Sequence, residues 1–174
     1  APAPQSGALL PRVFAHHAIL HATRMNACFT LMVILHPVSE TPFAAARLDD
    51  PVISWISRND TKPGREREPC LVVNASPEWS DQHVDASLES LRAQMLEATR
   101  AHVPLDAAEA ESAIIKRWRY ANVARPAGRP FLLDREQRLA SCGDWCIAGR
   151  VEAAFQSGSL LGDALLPALR ETSR

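Results

Sequence analysis

The stretch CGDWCIAGRVEAAFQSG, Cys142 to Gly158, is where residue types and spacing come nearest to chemistry. A short strand ending in Gly143-Asp144 leads through a turn to a helix that starts after Gly149. The first amides of such a helix, Arg150 to Glu152, have no carbonyl to bond within it and point outward along its axis. With the aligned peptide dipoles they give that end about half a positive charge. Such an end holds a phosphate, or a ring whose reduced form is anionic. The Asp144 carboxylate is suited to accept hydrogen bonds from sugar hydroxyls. The same pattern also reads as an ordinary strand–helix connection with glycine at the turn.

Other candidates carry less. His17 and His21 are spaced i, i+4 with His16 beside them, but no carboxylate or third ligand follows as in H-E-x-x-H, so no metal site is expected. Cys142 and Cys146 miss the C-x-x-C spacing and read as buried thiols. Trp118 and Tyr120 share one side of a strand with Ile114 and Lys116. Arg117 and Arg119 lie opposite, which predicts that one face meets solvent or a partner. The run TKPGRERE reads as a solvated loop. No Ser-His-Asp order and no paired carboxylates mark a hydrolytic site.

The elements that must position these residues follow from composition and periodicity. At 47% hydrophobic and 22% charged, the 174-residue chain should fold. A net charge of −1 gives no electrostatic case for nucleic acid or an anionic membrane surface. Four cysteines do not make a secreted disulfide framework, so a reduced, cytoplasmic setting is expected. The apolar run Ala27–Leu35 is too short to span a bilayer, and no signal peptide is visible. The sequence has no initiator Met, as expected of a chain processed or cut from something longer.

APAPQ should be extended, with a helix over Ser6–Thr23 interrupted at Pro11. Strands are predicted at Cys28–His36 (closed by Pro37), Val52–Arg58, Cys70–Ala75, Ser112–Val123 and Leu139–Gly143. Ser76, Pro77 and Glu78 start a long helix running to about His102, with Val84, Leu88, Leu91, Met95 and Ala98 on its buried stripe. A last helix, about Arg150 to Leu169, should bury Val151, Ala154, Phe155, Gly158, Leu161, Leu165 and Leu169, its glycines allowing close approach to a sheet. The sum is α+β: a mostly antiparallel sheet of about four to six strands under a long helix, closed by a strand-turn-helix.

LASCGDWCIAGRVEAAFQSGSLLGDALL resembles the C-terminal flavin-binding segment of FAD-dependent amine-oxidase-like proteins, and most of all the bacterial renalase-like oxidoreductases. APAPQ, VISWISRNDTKPGRE, ASPEWSDQHV and KRWRYANV fit the same family in the same order, and together they span most of the chain. The resemblance implies non-covalent FAD, with Gly143 and Asp144 at its ribityl–pyrophosphate region. It implies that the amides of Arg150, Val151 and Glu152 face the flavin N1–C2=O edge, favouring the reduced anion. Trp145 would flank the ring, Trp118 and Tyr120 would line the pocket, and Lys62 would be a polar group near the reactive face. The substrate would be an amine or a dihydronicotinamide-like donor.

The family's G-x-G-x-x-G grip on the ADP half of FAD is not in this sequence, which has 7 glycines. The chain is therefore expected to be the C-terminal half of such an enzyme. Residues 1–136 would be substrate-domain-like, and 137–174 the closing strand and helix of a Rossmann-like FAD domain. Alone it should bind FAD weakly or not at all and self-associate through the bared face. The alternative is a non-catalytic globular or binding domain derived from that family.

Overall fold

The computed structural model describes residues 1–36, 41–65 and 68–171, with backbone alone beyond Leu166. In chain order the elements are α1 (Ala3–Leu9), α2 (His17–Ala22), β1 (Arg24–Ile34), β2 (Ala45–Arg47), β3 (Ile53–Arg58), β4 (Cys70–Ala75), α3 (Pro77–Gln82), α4 (Leu88–Arg100), α5 (Ala107–Ser112), β5 (Ile114–Arg125), β6 (Leu132–Asp134), β7 (Leu139–Ser141), a single 3-10 turn (Asp144–Cys146) and α6 (Val151–Glu171). The fold is α+β, and its main sheet has five strands in the order β2-β3-β4-β1-β5. The pairs β2–β3, β3–β4 and β4–β1 are antiparallel.

The chain divides into two compact units, one of Ala1–Asn26 with Tyr120–Arg174 and the other of Ala27–Arg119. The first residues share a core with the last: Ala3, Phe14 and Leu20 are buried with Leu132, Trp145 and Cys146.

In the unit Ala27–Arg119, period-two alternation sends one set of side chains into the core. Leu31 and Val33 of β1 lie opposite Val73 and Leu71 of β4. They pack with Ile53, Ile56, Leu91 and Met95. Strict alternation would put Ile53 and Ile56 on opposite faces. A bulge between Ile53 and Trp55 adds one residue and brings both isoleucines inward.

The single long helix predicted over Pro77–His102 is two helices, and Val84 falls in the link between them. Ser76 Oγ accepts from Trp79 N as the predicted cap of α3. The ring Nδ1 of His83 lies 2.7 Å from Trp79 O at the other end of that helix. The link is held from β5: Arg117 donates to Ala86 O and Arg119 pairs with Asp85. Arg117 also lies over the Phe29 ring, 5.6 Å from its centroid. Its side of β5 is therefore the core side, and the exposed side is that of Ile114, Lys116 and Trp118. One face of β5 does meet solvent, that of Ile114, Lys116 and Trp118; on the other, Arg117 is half-buried against the core and Arg119 is exposed while paired with Asp85.

In the other unit, APAPQ is not extended. Pro2 caps α1, and a proline in the first turn removes an amide that would have no intrahelical partner. β6 and β7 form a separate hairpin. The inward face of α6 is Ala153, Ser157 and Leu161; of the predicted stripe, Leu161 is buried and Leu165 half-buried, while Val151, Ala154, Phe155 and Gly158 are exposed. Ser157 fixes that rotation: its Oγ accepts from Gly143 N at 3.1 Å and donates to Pro130 O. Val151 (90% exposed) and Phe155 (69%) face outward, and a Cβ added at Gly158 or Gly162 would meet nothing within 4 Å. The predicted close approach of these glycines to a sheet is thus absent among the described residues. Pro37, residues 66–67 of the charged loop and the Leu169 side chain lie outside what is described.

Candidate functional site

The turn between β7 and α6 is built by close packing. Trp145 is 1% exposed, and its Nε1 donates to Ala1 O at 3.0 Å. A Cβ at Gly143 would lie 2.6 Å from that Nε1, so only glycine lets the chain cross the indole. A Cβ at Gly149 would lie 3.1 Å from both the Cβ and the backbone N of Val123, a second tight approach. Asp144 O accepts from Ile147 N at 3.1 Å and Ala148 N at 2.9 Å, which closes the 3-10 turn.

The start of α6 is open. Arg150 N donates to Ala148 O at 2.6 Å, and Arg150 O accepts from Ala154 N at 3.1 Å. Arg150 is therefore the residue that begins the helix, and its amide is engaged, contrary to the expectation that it faces a ligand. The amides of Val151 and Glu152 have no acceptor among the described residues, and both residues are exposed. The Glu152 carboxylate accepts from Gln156 Nε2 at 3.3 Å, one turn along the helix. Asp144 is half-buried beside this end of the chain.

Among the other expected residues, Trp145 is enclosed in a core, with no ring face presented to solvent. Tyr120 is half-buried in the same unit. Trp118 (57% exposed) and Lys62 belong to the other unit. Lys62 is exposed in a turn, with Nζ donating to Asn59 Oδ1 at 3.1 Å. No cation–π contact joins Lys62 to Trp118 among the described residues.

Sequence reasoning passed over the sheet face turned away from the α4 core. Register places Trp55 opposite Asn74, and Asn74 opposite Thr30. Thr30 Oγ1 donates to Asn74 Oδ1 at 3.0 Å, which turns the amide nitrogen of Asn74 away from Thr30. Met32 and Val72 pair beside them. Trp118 alternates with the core-side Ile115 and Arg117 and so stands on this uncovered side. The bulge hid the row, because a period-two count assigns Trp55 the wrong companions.

His16 Nε2 lies 3.0 Å from Leu133 O and His17 Nε2 3.2 Å from Leu10 O, and no group of three or more metal-ligating side chains gathers among the described residues. All four cysteines are free, and burial pushes the Cys146 thiol up, opposed by its hydrogen bond with Ser157.

No protein-family model matches the chain. Among solved structures it is similar to a protein assigned as a protoporphyrinogen oxidase, from Exiguobacterium sp. 255-15. The identity is 20% and the TM-score 0.56, over 75% of this chain and 30% of that one. A putrescine oxidase triple mutant redesigned in cofactor binding gives 18% identity and a TM-score of 0.42, over 62% of this chain and 23% of that one. The first shows a shared fold; the second is too distant to carry an argument. This chain thus spans 30% of the length of the oxidase whose fold it shares. No helix among the described residues is long and apolar enough to cross a membrane.

Proposed function

We propose that this chain is part of an FAD-dependent oxidoreductase of the amine-oxidase type, renalase-like in its motifs. It would supply a wall of the substrate pocket and the flavin N1–C2=O side of the site. The observation that carries this reading is the open start of α6, where the Val151 and Glu152 amides lack acceptors at the positive end of a helix. The resemblance of residues 139–166 to a flavin-binding segment and the fold shared with an oxidase support it.

The residues fit such a group. FAD supplies hydride acceptance when bound. The Val151 and Glu152 amides would stabilise negative charge at the edge they meet, and Asp144 would accept hydrogen bonds from the ribityl hydroxyls. Gly143 and Gly149 allow the backbone path, while Trp145 holds the turn from behind. Trp118 and the uncovered sheet face with Trp55 and Met32 would form an apolar wall for an amine or dihydronicotinamide-like donor. Tyr120 and the ammonium of Lys62 would each offer a polar group to the substrate.

The test is titration of the chain with FAD, followed by flavin absorbance and fluorescence. Weak binding is expected, because no G-x-G-x-x-G is present to hold the ADP half. Val151→Pro deletes one donor at a first-turn position that tolerates proline, and it should abolish the weak binding. Binding unchanged by Val151→Pro would remove the α6 end from the site. Tight, stoichiometric uptake would contradict the expected incompleteness. A second reading, a non-catalytic domain of the same descent, is favoured by the missing glycine fingerprint. It predicts no flavin effect at any concentration.

A further inference from the structure

We propose that the groove between the Gly128–Pro130 loop and the Cys146–Ile147 turn binds a small anion with an apolar body. The groove is lined by Gly128, Arg129, Pro130, Cys146 and Ile147 and encloses about 370 Å³. That volume lies in the few-hundred-Å³ range of small-molecule sites.

Its walls are tied together. Ala127 N donates to Trp145 O at 2.9 Å and Arg129 N to Cys146 O at 3.2 Å. Ser157 Oγ adds a bond to Pro130 O from α6. The buried indole of Trp145 backs the same turn. A frame fixed this way need not be ordered when a ligand arrives, which favours binding.

The lining is mostly apolar, with Pro130 and Ile147 beside the fully buried Cys146. The exception is Arg129. It is exposed, and its guanidinium has no partner among the described residues. A planar, permanently charged fork beside apolar surface suits an oxyanion carried on hydrocarbon, a carboxylate or a phosphate. Gly128 has φ 70°, and a Cβ there would meet nothing within 4 Å, so the mouth beside Arg129 is unobstructed. The ligand class is an aromatic carboxylate or phosphate monoester. The inference does not rest on the flavin reading, since the groove needs no flavin to bind such an anion.

Calorimetric titration of the full chain with benzoate and phenyl phosphate tests it, with benzamide and benzyl alcohol as neutral counterparts. The anions should bind, and the neutral compounds should bind at least about tenfold more weakly. Arg129→Gln should lower anion affinity about 10- to 100-fold, the scale of a lost charge-assisted contact. Arg125→Gln should leave it unchanged. Amide shifts on adding benzoate should centre on residues 127–129 and 145–147. Equal binding of neutral and anionic probes would overturn the proposal. So would affinity unaffected by Arg129→Gln, or shifts centred elsewhere. Because FAD is absent from these titrations, their failure is distinct from failure of the Val151→Pro experiment.

Discussion

Gly143, Gly149 and Gly158 show how one residue type serves opposite ends. At Gly143 a methyl group would strike Trp145, which cannot swing because it is buried and bonded to Ala1 O. Gly143→Ala should destabilise the chain by about 1–3 kcal/mol, the usual scale of overpacking. Gly149→Ala, against the Val123 backbone, should also destabilise it. Gly158→Ala enters open space within a helix and should stabilise by up to about 1 kcal/mol. Urea midpoints at constant m separate the three. Asp134 offers a test by pH. The amides of Ala15 and Gln137 bond its carboxylate and hold it below the ordinary range, against the opposing effect of burial. The unfolded group titrates near pH ~3.9, so this contribution is complete above about pH 5 and is lost as pH falls through the lower folded value. The stability gap between the parent chain and Asp134→Asn should therefore shrink from pH 6 to pH 3 in urea titrations. The Gly143-Asp144 turn was legible because glycine and aspartate have few local uses. The engaged amide of Arg150 was not, since a bond to Ala148 O two residues back leaves no compositional trace.

Among the elements, α5 went unforeseen because six residues carry too little periodicity. Its capping box is nonetheless written in Asp106 and Glu109. Asp106 Oδ1 accepts from Glu109 N at 2.8 Å, and Glu109 Oε2 accepts from Asp106 N at 3.0 Å. Glu109 Oε1 also accepts from His36 N at 2.8 Å, joining the helix to the end of β1. Asp106→Ala should cost about 0.5–2 kcal/mol, the normal range for a lost cap. Glu109→Ala should cost more, because it strands two amides instead of one. Hydrogen exchange should show faster exchange at Asp106 and His36 in the second variant and at Glu109 in the first. The strands β1, β3, β4 and β5 were readable because alternation of apolar residues survives tertiary context. The bulge in β3 and the break between α3 and α4 were not. Each depends on partners distant in sequence: Ala75 and Asn74 for the bulge, Arg117 and Arg119 for the break. The Pro-rich start was misread for a simpler reason, since proline is a helix former at one position and a breaker at the next.

At the scale of the whole molecule, the first half of the predicted α6 stripe is uncovered: Val151, Ala154, Phe155 and Gly158 are exposed, while Leu161 further along is buried. Leu160 and Leu166, outside that stripe, are exposed as well. Exposed apolar surface of this kind promotes association. Light scattering should show apparent mass rising with concentration, and Phe155→Glu should suppress the rise. A parent chain that stays monomeric at every concentration would refute this. The division into units was illegible in sequence because Phe14 and Leu20 give no sign that their partners lie more than a hundred residues later, at Leu132 and Trp145. That division also distributes the indoles. Trp145 is the lone tryptophan of its unit, while Trp55, Trp79 and Trp118 belong to the other. A chain carrying Trp55→Phe, Trp79→Phe and Trp118→Phe would fluoresce from the first unit alone, and Trp145→Phe from the second alone. Heating the two side by side would reveal, by emission colour, whether both halves melt as one.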